Sequence, residues 1–388
     1  MKQLSFFFLF FFSLANSQIT KQLKILDSES NTGIHAVRII AGDEVFYTNE
    51  DGMVTLPEQA TRLDISTSGF EILKNTSYQS VIKLKPLYKD IDEVKIVSIE
   101  VRKIFEEVLK NYSAKYYDKP ALYDVTYSQK SFENDQMKLL MVADGKFWTR
   151  DGRYDRRDAS KGKLASFVQL QVDKLRYFET KARNFNIIEK KSARTHDNVG
   201  LIFFDYELQK VINLMNVKGA TVSSFLLYEN DEDQEISFRI KTTTNLFHTG
   251  TFTFNKTDRV ITNLEVSFDQ KGYAPDVRKD ESGIDYVVQL GNGTIRYEFY
   301  KSGKKYVPSI FSFKTEGYKY TSQNKTYDYR TAREIVFKTY SPAKQSTFKN
   351  PVDISSNFWT DMKVSDEKGL VNLSAEELRF VKDKNDQD

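Results

Sequence analysis

Three histidines, His35, His196 and His248, are the only imidazole groups in the sequence. A zinc peptidase needs two ligands close together, as in His-x-x-Glu or His-Glu-x-x-His, because the metal requires a fixed geometry. None of the three histidines has a partner at such a spacing, and they lie far apart along the chain. We therefore expect structural or surface roles for the histidines and no bound metal.

Motifs for nucleophilic catalysis and for phosphate binding are absent from the sequence as well. There is no Gly-x-Ser-x-Gly elbow, and without cysteine the chain has no thiol nucleophile. Gly291-Asn292-Gly293 lies between two strand patterns, which is typical of a turn. The paired carboxylates of a glycoside hydrolase have no fixed spacing, so 54 acidic residues neither indicate nor exclude such a pair. We expect no catalytic residues and no cofactor.

One segment, between Lys146 and Lys163, is strongly basic. It contains seven basic residues against three aspartates, with Trp148 and Tyr154 among them. A surface of this kind can contact anionic lipid head groups, whereas ion pairs within an exposed loop are the alternative interpretation. The candidates for an anionic contact are the arginines Arg150, Arg153, Arg156 and Arg157.

Helices are predicted at a few places from the 3.6-residue period of apolar side chains. The clearest should cover residues 99–115, with Ser98 as its N-cap. Its apolar stripe consists of Val101, Ile104, Phe105, Val108, Leu109 and Tyr112. Further helical stretches are expected near 164–180 and 206–217. A Ser-x-x-Glu pattern at 374–377 is a capping box and predicts a short terminal helix.

Strands dominate the remainder of the chain. Aromatic residues alternate with polar ones, as in Phe252-Thr253-Phe254 and Tyr297-Glu298-Phe299, so these strands have one apolar and one polar face. Turn signals between such segments predict a long antiparallel meander. Its aromatic face, together with the helix, should line either a core or a cavity for an apolar ligand. The residues assigned to this face are Phe105, Leu109, Phe252, Phe254, Tyr297 and Phe299.

The first 17 residues have the layout of a secretory signal peptide. Lys2 provides a positive start, the apolar run Leu4–Leu14 follows, and small residues continue to Ser17. The run is shorter than the roughly 20 residues that a transmembrane helix needs. We therefore expect cleavage after Ser17 and an exported mature chain without a transmembrane helix.

Residues 18–98 contain about seven short strand patterns separated by turns, which predicts a small β-sandwich. Five short motifs follow one another in this region, and both their sequences and their order resemble the carboxypeptidase-regulatory-like domain. The motifs are Thr32-Gly33-Ile34, Ala36-Val37-Arg38-Ile39, Asn49-Glu50-Asp51-Gly52, Leu63-Asp64-Ile65-Ser66 with Gly69-Phe70, and Ile91-Asp92-Glu93-Val94. This resemblance implies a transthyretin-like β-sandwich, of a type that often precedes outer-membrane receptors and other Gram-negative envelope proteins. It implies the periplasm or the periplasmic face of the outer membrane as the location, with secretion as the alternative. The following helix does not resemble a receptor plug, so no receptor function is implied.

The overall composition excludes several classes of protein. Among 388 residues, 57 basic and 54 acidic side chains give a formal charge of +3, without the basic excess of a dedicated nucleic-acid binder. With 40% hydrophobic and 29% charged residues, the chain is ordinary for a globular protein. A mean hydropathy of -0.53 excludes a bundle of transmembrane helices.

The predicted fold is mainly β, of the α+β class, with a signal peptide at 1–17, a β-sandwich at 18–98 and a helix followed by an antiparallel sheet at 99–388. The third region is loosely similar to the half-barrels of periplasmic lipoprotein carriers. We therefore expect a non-enzymatic envelope protein that binds or scaffolds, with an outer-membrane or periplasmic protein, or a lipid, as its partner. A carrier of lipid or another apolar ligand is one alternative. A hydrolase, implied by the family name alone, is the other.

Overall fold

The structure, a computed structural model, describes residues 20–87, 99–181, 200–243, 246–279, 283–344, 348, 351–352, 362–364 and 372–382. The predicted signal peptide, the predicted strand at 91–97, Ser98 and His196 therefore lie outside the described residues. As predicted, the fold is mainly β. A small two-sheet unit precedes a large antiparallel sheet that carries helices on one face.

Seven short strands form the N-terminal sandwich, as the sequence predicts. They are β1 (Thr20–Asp27), β2 (Arg38–Ala41), β3 (Glu44–Tyr47), β4 (Met53–Pro57), β5 (Arg62–Ser66), β6 (Leu73–Ser77) and β7 (Val81–Leu84). One sheet has the order β4-β1-β7 and the other has the order β3-β2-β5-β6. Alternate residues such as Leu23, Ile39 and Ile65 are fully buried in the core of this unit, which is the period of strands with one buried face.

Twelve of the described strands form the large sheet. Ten of them are β8 (Ala121–Glu133), β9 (Gln136–Thr149), β10 (Val168–Thr180), β11 (Thr221–Glu229), β12 (Asp233–Lys241), β13 (Phe247–Asn255), β14 (Val260–Asp269), β17 (Asn292–Ser302), β18 (Lys305–Ser322) and β19 (Lys325–Pro342). Their spatial order is β10-β9-β8-β19-β18-β17-β14-β13-β12-β11, and the hairpin of β15 (Asp276–Lys279) and β16 (Asp285–Gln289) attaches to β18. The neighbouring strands are antiparallel throughout, which confirms the predicted antiparallel sheet.

The described helices are short. They are α1 (Val101–Lys110), α2 (Tyr112–Lys115), α3 (Arg156–Ser160), α4 (Phe204–Met215) and α5 (Ala375–Lys382), with a 3-10 turn at Leu164–Ser166. The helix predicted at 99–115 is divided at Asn111, which ends α1 and begins α2. The helices predicted near 206–217 and after the capping box are confirmed. Of the helices that the structure describes, none is long and apolar enough to cross a membrane.

The helix predicted near 164–180 is wrong, because strand β10 occupies most of this stretch. Val168, Val172 and Leu175 have the spacing of one helix face. The interval of three residues between Val172 and Leu175 arises from a β-bulge after Val172, because a bulge shifts the alternation of side chains by one residue. A strand with such a bulge therefore imitates the helical period.

The inner face of the large sheet, which carries Phe252, Tyr297 and Phe337, packs against α1, α2 and α4. Phe105 of α1 is fully buried in this core. The centroid of its ring lies 5.6 Å from that of Phe238 and 5.1 Å from that of Phe252, and both contacts are edge-to-face. Such contacts add to the stabilisation that burial of the rings provides.

The outer face of the large sheet carries the sandwich. Glu298 of β17 is buried and accepts a hydrogen bond of 2.8 Å from Tyr47 of β3. The same carboxylate pairs with Arg296, and it lies 3.6 Å from the guanidinium of Arg38. Arg38 also donates to the backbone carbonyl of Phe299 at 2.8 Å. Because buried charges are tolerated when they are paired and hydrogen bonded, the polar face of the sheet serves here as a domain interface.

The terminal helix α5 closes this junction. The predicted capping box is present, since the N–H of Ser374 donates to Glu377 at 2.6 Å and the N–H of Glu377 donates to Ser374 Oγ at 3.3 Å. Glu377 also pairs with Lys130 of β8 at 2.6 Å, and Lys130 pairs with Glu50 of the sandwich at 2.6 Å. One lysine thus joins the sandwich, the large sheet and α5.

Candidate functional site

A cavity lies on the inner face of the large sheet, beneath α2 and the beginning of α4. Its volume is about 40 Å³. Its wall is largely aromatic and includes Tyr112, Tyr116, Phe203, Phe204 and Phe299. Thr149 and Gly152, at the end of β9, complete the wall on the side of the basic segment.

Two tyrosine hydroxyls in this wall, those of Tyr112 and Tyr116, are hydrogen bonded to the backbone. Tyr112 donates to the backbone carbonyl of Gly152 at 3.0 Å. Tyr116 donates to the carbonyl of Ile261 at 2.8 Å and accepts from the N–H of the same residue at 2.9 Å. Burial raises the pKa of both tyrosines well above the usual value of 10.0. The wall therefore offers a ligand apolar surface and not acid–base chemistry.

The size of the cavity limits what it can hold without rearrangement. A single water molecule needs about 10 to 15 Å³ of such space, so a cavity of 40 Å³ has room for about three or four water molecules. Ligand pockets in proteins usually have about 300 to 1,000 Å³. The cavity is therefore small, and a ligand with an acyl chain would have to widen it.

The six residues predicted for the apolar face all lie in one core, but the structure brings just two of them to the cavity. Tyr297 and Phe299 line its wall. Phe105 packs deeper beneath α1 and does not line the cavity. The others, which share this core, are Phe252, Phe254 and Leu109.

The basic segment borders the cavity, a proximity that the sequence did not indicate. Gly152 lines the wall, and the next residue, Arg153, places its guanidinium 5.3 Å from the centroid of the Tyr112 ring. A cation over an aromatic face is attracted by the ring, which helps to hold Arg153 at this edge. Nε of Arg153 also lies 3.4 Å from Oδ2 of Asp205 in the first turn of α4. A cationic rim and an aromatic wall therefore form a single site.

Asp205 is a buried carboxylate beside this rim. The backbone N–H of Tyr154 donates to its Oδ1 at 3.1 Å. Burial raises the pKa of the Asp205 carboxyl group to about 6, although the hydrogen bond from Tyr154 and the charge of Arg153 act in the opposite direction. An unpaired charge at a buried position is costly, so the ionised carboxylate depends on Arg153.

The other three arginines predicted for an anionic contact do not line the cavity. Arg150 is paired within its own segment, 2.9 Å from Asp155 and 3.2 Å from Asp151. Arg156 and Arg157 of α3 are exposed, and among the described residues neither forms an ion pair. The segment thus contains one arginine that is locally neutralised, two that are exposed and one at the cavity.

The described histidines lie apart from the cavity. His35 of the sandwich has its Nε2 3.3 Å from the ammonium of Lys314, and His248 is buried in β13. Burial lowers the pKa of both imidazoles to about 4, so both are neutral at neutral pH. Within the described ranges, no group of three or more His, Asp or Glu side chains could hold a metal ion.

Sequence reasoning missed Tyr116, Phe203, Phe204 and Asp205 as parts of the site. The pair Phe203-Phe204 directly precedes two acidic residues in the first turn of α4, a position where negative charge stabilises a helix. This pattern marks the beginning of a helix. It does not indicate that the Phe204 ring contacts Tyr116, because that contact depends on how α2 and α4 cross the sheet.

Comparisons with known proteins do not assign this chain to a family. No family model matches the sequence, and no curated protein matches it. One similar solved structure concerns "lipid-protein interactions in lipovitellin", with 7% identity, a TM-score of 0.26 and coverage of 61% of this chain and 27% of that chain. Another is a putative membrane-associated protein of unknown function from Bacteroides fragilis, with 9% identity, a TM-score of 0.15 and coverage of 83% and 97%. The chain thus spans about a quarter of the length of the lipovitellin chain, and neither likeness carries an argument about function.

Proposed function

We propose that this protein is a non-enzymatic binding protein that holds an apolar ligand between the inner face of its large sheet and helices α2 and α4. The supporting observation is the aromatic cavity with Arg153 at its rim. Its wall consists mostly of aromatic rings, so the favourable contribution to the binding free energy is burial of apolar surface. A lipid chain, which gains about 0.8 kcal/mol per buried methylene group, matches this chemistry.

We further propose that the protein is located in the Gram-negative envelope. The predicted signal peptide at 1–17 and the resemblance of residues 18–98 to the carboxypeptidase-regulatory-like domain support an exported protein in the periplasm or at the periplasmic face of the outer membrane. Mass analysis of the mature protein should find an N-terminus near Gln18. Retention of the segment from Met1 to Leu14 in the mature protein would contradict export by cleavage.

A ligand can enter if α2 and the turn at Gly152 move apart. Helix α2 has four residues, and its N-cap residue Asn111 makes no side-chain capping bond. The hydrogen bond from Tyr112 to Gly152 closes the contact between the two elements. Short elements with few bonds open at a lower free-energy cost than the core of a sheet. Opening at this point would expose the wall while α1 and the sheet stay packed.

Ligand-binding measurements test this proposal directly. The protein should bind a fluorescent fatty acid, and native mass spectrometry of protein from the periplasm should show a co-purifying lipid. Ile202→Trp should weaken binding, because Ile202 lines the cavity and a larger side chain fills it. Ile72→Trp is the matched control, since Ile72 lies 50% exposed on the sandwich. Unchanged binding in Ile202→Trp, with a melting temperature close to that of the parent protein, would contradict the proposed site.

Scaffolding is the second candidate function, and a different observation favours it. The sandwich is fixed to the outer face of the large sheet by the largely buried ion pair of Arg38 with Glu298 and by the ion pair of Glu50 with Lys130. The two units therefore present their surfaces in a constant arrangement, as a scaffold requires. Native mass spectrometry separates the candidates, because a stoichiometric partner chain without lipid would favour scaffolding.

A further inference from the structure

We propose that the ligand of the aromatic cavity is an anionic amphiphile, and that Arg153 binds its headgroup through the outer guanidinium nitrogens, which do not contact Asp205. This inference rests on the proposed function and adds to it the chemical class of the ligand and the residue that selects it. The supporting observation is that the guanidinium of Arg153 lies next to the aromatic wall of the cavity. A ligand that matches both features has a negatively charged end and an apolar chain.

Arg153 is placed to contact a ligand at the mouth of the cavity. Its guanidinium lies over the ring of Tyr112, which lines the wall, and its neighbour Gly152 lines the wall as well. The side chain is 44% exposed, so a headgroup can reach it from solvent. A chain that enters between Tyr112 and Gly152 would therefore leave its polar end beside Arg153.

The present partner of Arg153 leaves most of its hydrogen-bonding capacity unused. A guanidinium has five N–H donors in a planar fork that suits a carboxylate or a phosphate. The contact with Asp205 joins Nε alone, at 3.4 Å, which exceeds the usual length of a charged hydrogen bond. An incoming carboxylate or phosphate can bind the outer nitrogens in a bidentate manner, and Asp205 keeps its hydrogen bond from the backbone of Tyr154.

The surroundings of the rim favour a negative headgroup. Arg156, Arg157 and Lys161 are exposed close by in the chain. The aspartates of this segment are engaged, since Asp151, Asp155 and Asp158 surround the guanidinium of Arg150. The positive charge that remains uncompensated attracts an anion and repels a cation.

The decisive experiment compares two amphiphiles with the same chain, palmitate and hexadecanol, at alkaline pH where the carboxyl group is ionised. Palmitate should bind about tenfold tighter or more, because a hydrogen-bonded charge contributes about 1.5 to 3 kcal/mol. Arg153→Gln should remove this preference. Arg157→Gln, which changes an exposed arginine of the same segment, should retain it.

Two further variants keep the test valid if Arg153→Gln is unstable. Asp205→Asn frees Arg153 and should increase the preference for palmitate, whereas a purely structural role of the ion pair would leave the preference unchanged. The double variant Arg153→Gln with Asp205→Asn removes both charges, avoids an unpaired buried carboxylate and should lose the preference.

The outcomes distinguish the two proposals. If neither amphiphile binds, the proposed function is wrong. If both bind with equal affinity, or if Arg157→Gln reduces the preference as much as Arg153→Gln does, the cavity binds apolar ligands but Arg153 does not select the headgroup. Substituting hexadecyl phosphate for palmitate identifies whether the rim prefers a phosphate, as in a phospholipid, or a carboxylate.

Discussion

The hydroxyl group of Tyr47 donates a hydrogen bond of 2.8 Å to the carboxylate of Glu298, and this bond joins the sandwich to strand β17 of the large sheet. The two residues are far apart in the chain; Glu298 is buried and Tyr47 is partly buried. Burial and the nearby carboxylate raise the pKa of Tyr47 well above its usual value, so the hydroxyl stays protonated and remains a donor. The docking of the two units thus depends on a polar bond in a largely buried interface.

Tyr47→Phe should therefore destabilise the protein. Removing the hydroxyl leaves an oxygen of Glu298 without this donor and also removes a contact of 2.7 Å with Ser309. The expected loss in the free energy of unfolding is about 1 to 3 kcal/mol, the usual cost of an unsatisfied buried polar group. Chemical denaturation measures it. Tyr78→Phe is the control, because Tyr78 donates to the carbonyl of Gln22 at an exposed position, and it should cost about 0.5 kcal/mol.

The stability of the junction should also decrease in acid because of His35. Its pKa is 6.5 in an unfolded chain and about 4 in the folded protein, chiefly through burial and then through the charge of Lys314. The unfolded state thus binds more protons between these two values, so the stabilisation is complete above pH 6.5 and is lost as the pH falls toward 4. At about 1.4 kcal/mol per pKa unit, the loss is at most about 3.5 kcal/mol. Other charges near His35 are Glu50, Arg296 and Lys130.

His35→Gln isolates this contribution. The buried His248 has a similarly lowered pKa and remains in both proteins, so it contributes equally to both pH profiles. The variant should lose less stability than the parent protein when the pH is lowered from neutral to about 4. Identical slopes of unfolding free energy against pH would show that His35 is accessible to protons in the folded state.

Helix α1 should contribute strongly to the stability of the large domain through Phe105. The ring is fully buried between Phe238 and Phe252, and Phe105→Ala should cost about 3 to 5 kcal/mol. Lys103→Ala, on the exposed side of the same helix, should change the stability by about 0.5 kcal/mol or less. Thermal melting compares the two. Equally small shifts would mean that the helix is a free linker and that the inner face of the sheet is covered by something else.

Lys130 should hold α5 against the rest of the molecule. Its ammonium pairs with the buried carboxylate of Glu377, and Lys130→Met leaves that carboxylate without its cation. Breaking a buried ion pair in this way costs about 3 to 5 kcal/mol, with the lower end expected here because Glu50 is partly exposed. Hydrogen exchange of the amides at 375–382 should accelerate. Lys304→Met, at an exposed turn, should leave the exchange rates unchanged.

Much of the fold follows from local patterns in the sequence. The alternation in Tyr297-Glu298-Phe299 predicts a strand with two different faces, and the capping box at Ser374 predicts α5 together with its first hydrogen bonds. A helix was predicted in place of strand β10 because a bulge changes the spacing of its apolar residues. A local pattern identifies a strand by the regular alternation of apolar and polar residues, and a bulge interrupts that alternation.

The candidate site was predictable in its parts but not in its assembly. Arg153 and Tyr297 were each identified from the sequence, the first as part of a basic segment and the second as part of an apolar face. Their meeting at one cavity depends on the turn at Gly152 and on the position of α4 across the sheet. The spacing of residues within one element does not predict this contact, because the contact arises from tertiary packing between segments that are distant in the chain.

Strand β8 pairs along its whole length with β19, although most of the large domain lies between them in the chain. The meander β8–β10 can therefore join the rest of the sheet only after β19 has formed. The pairing of β8 with β19 closes a long loop, which contains all the residues between these two strands. Sheets with such a high contact order fold slowly, because the entropy of loop closure is lost before the contacts form. Until then, β8 and β19 keep unpaired edges that can associate with other chains. A chaperone that covers these edges would therefore raise the yield of folded protein.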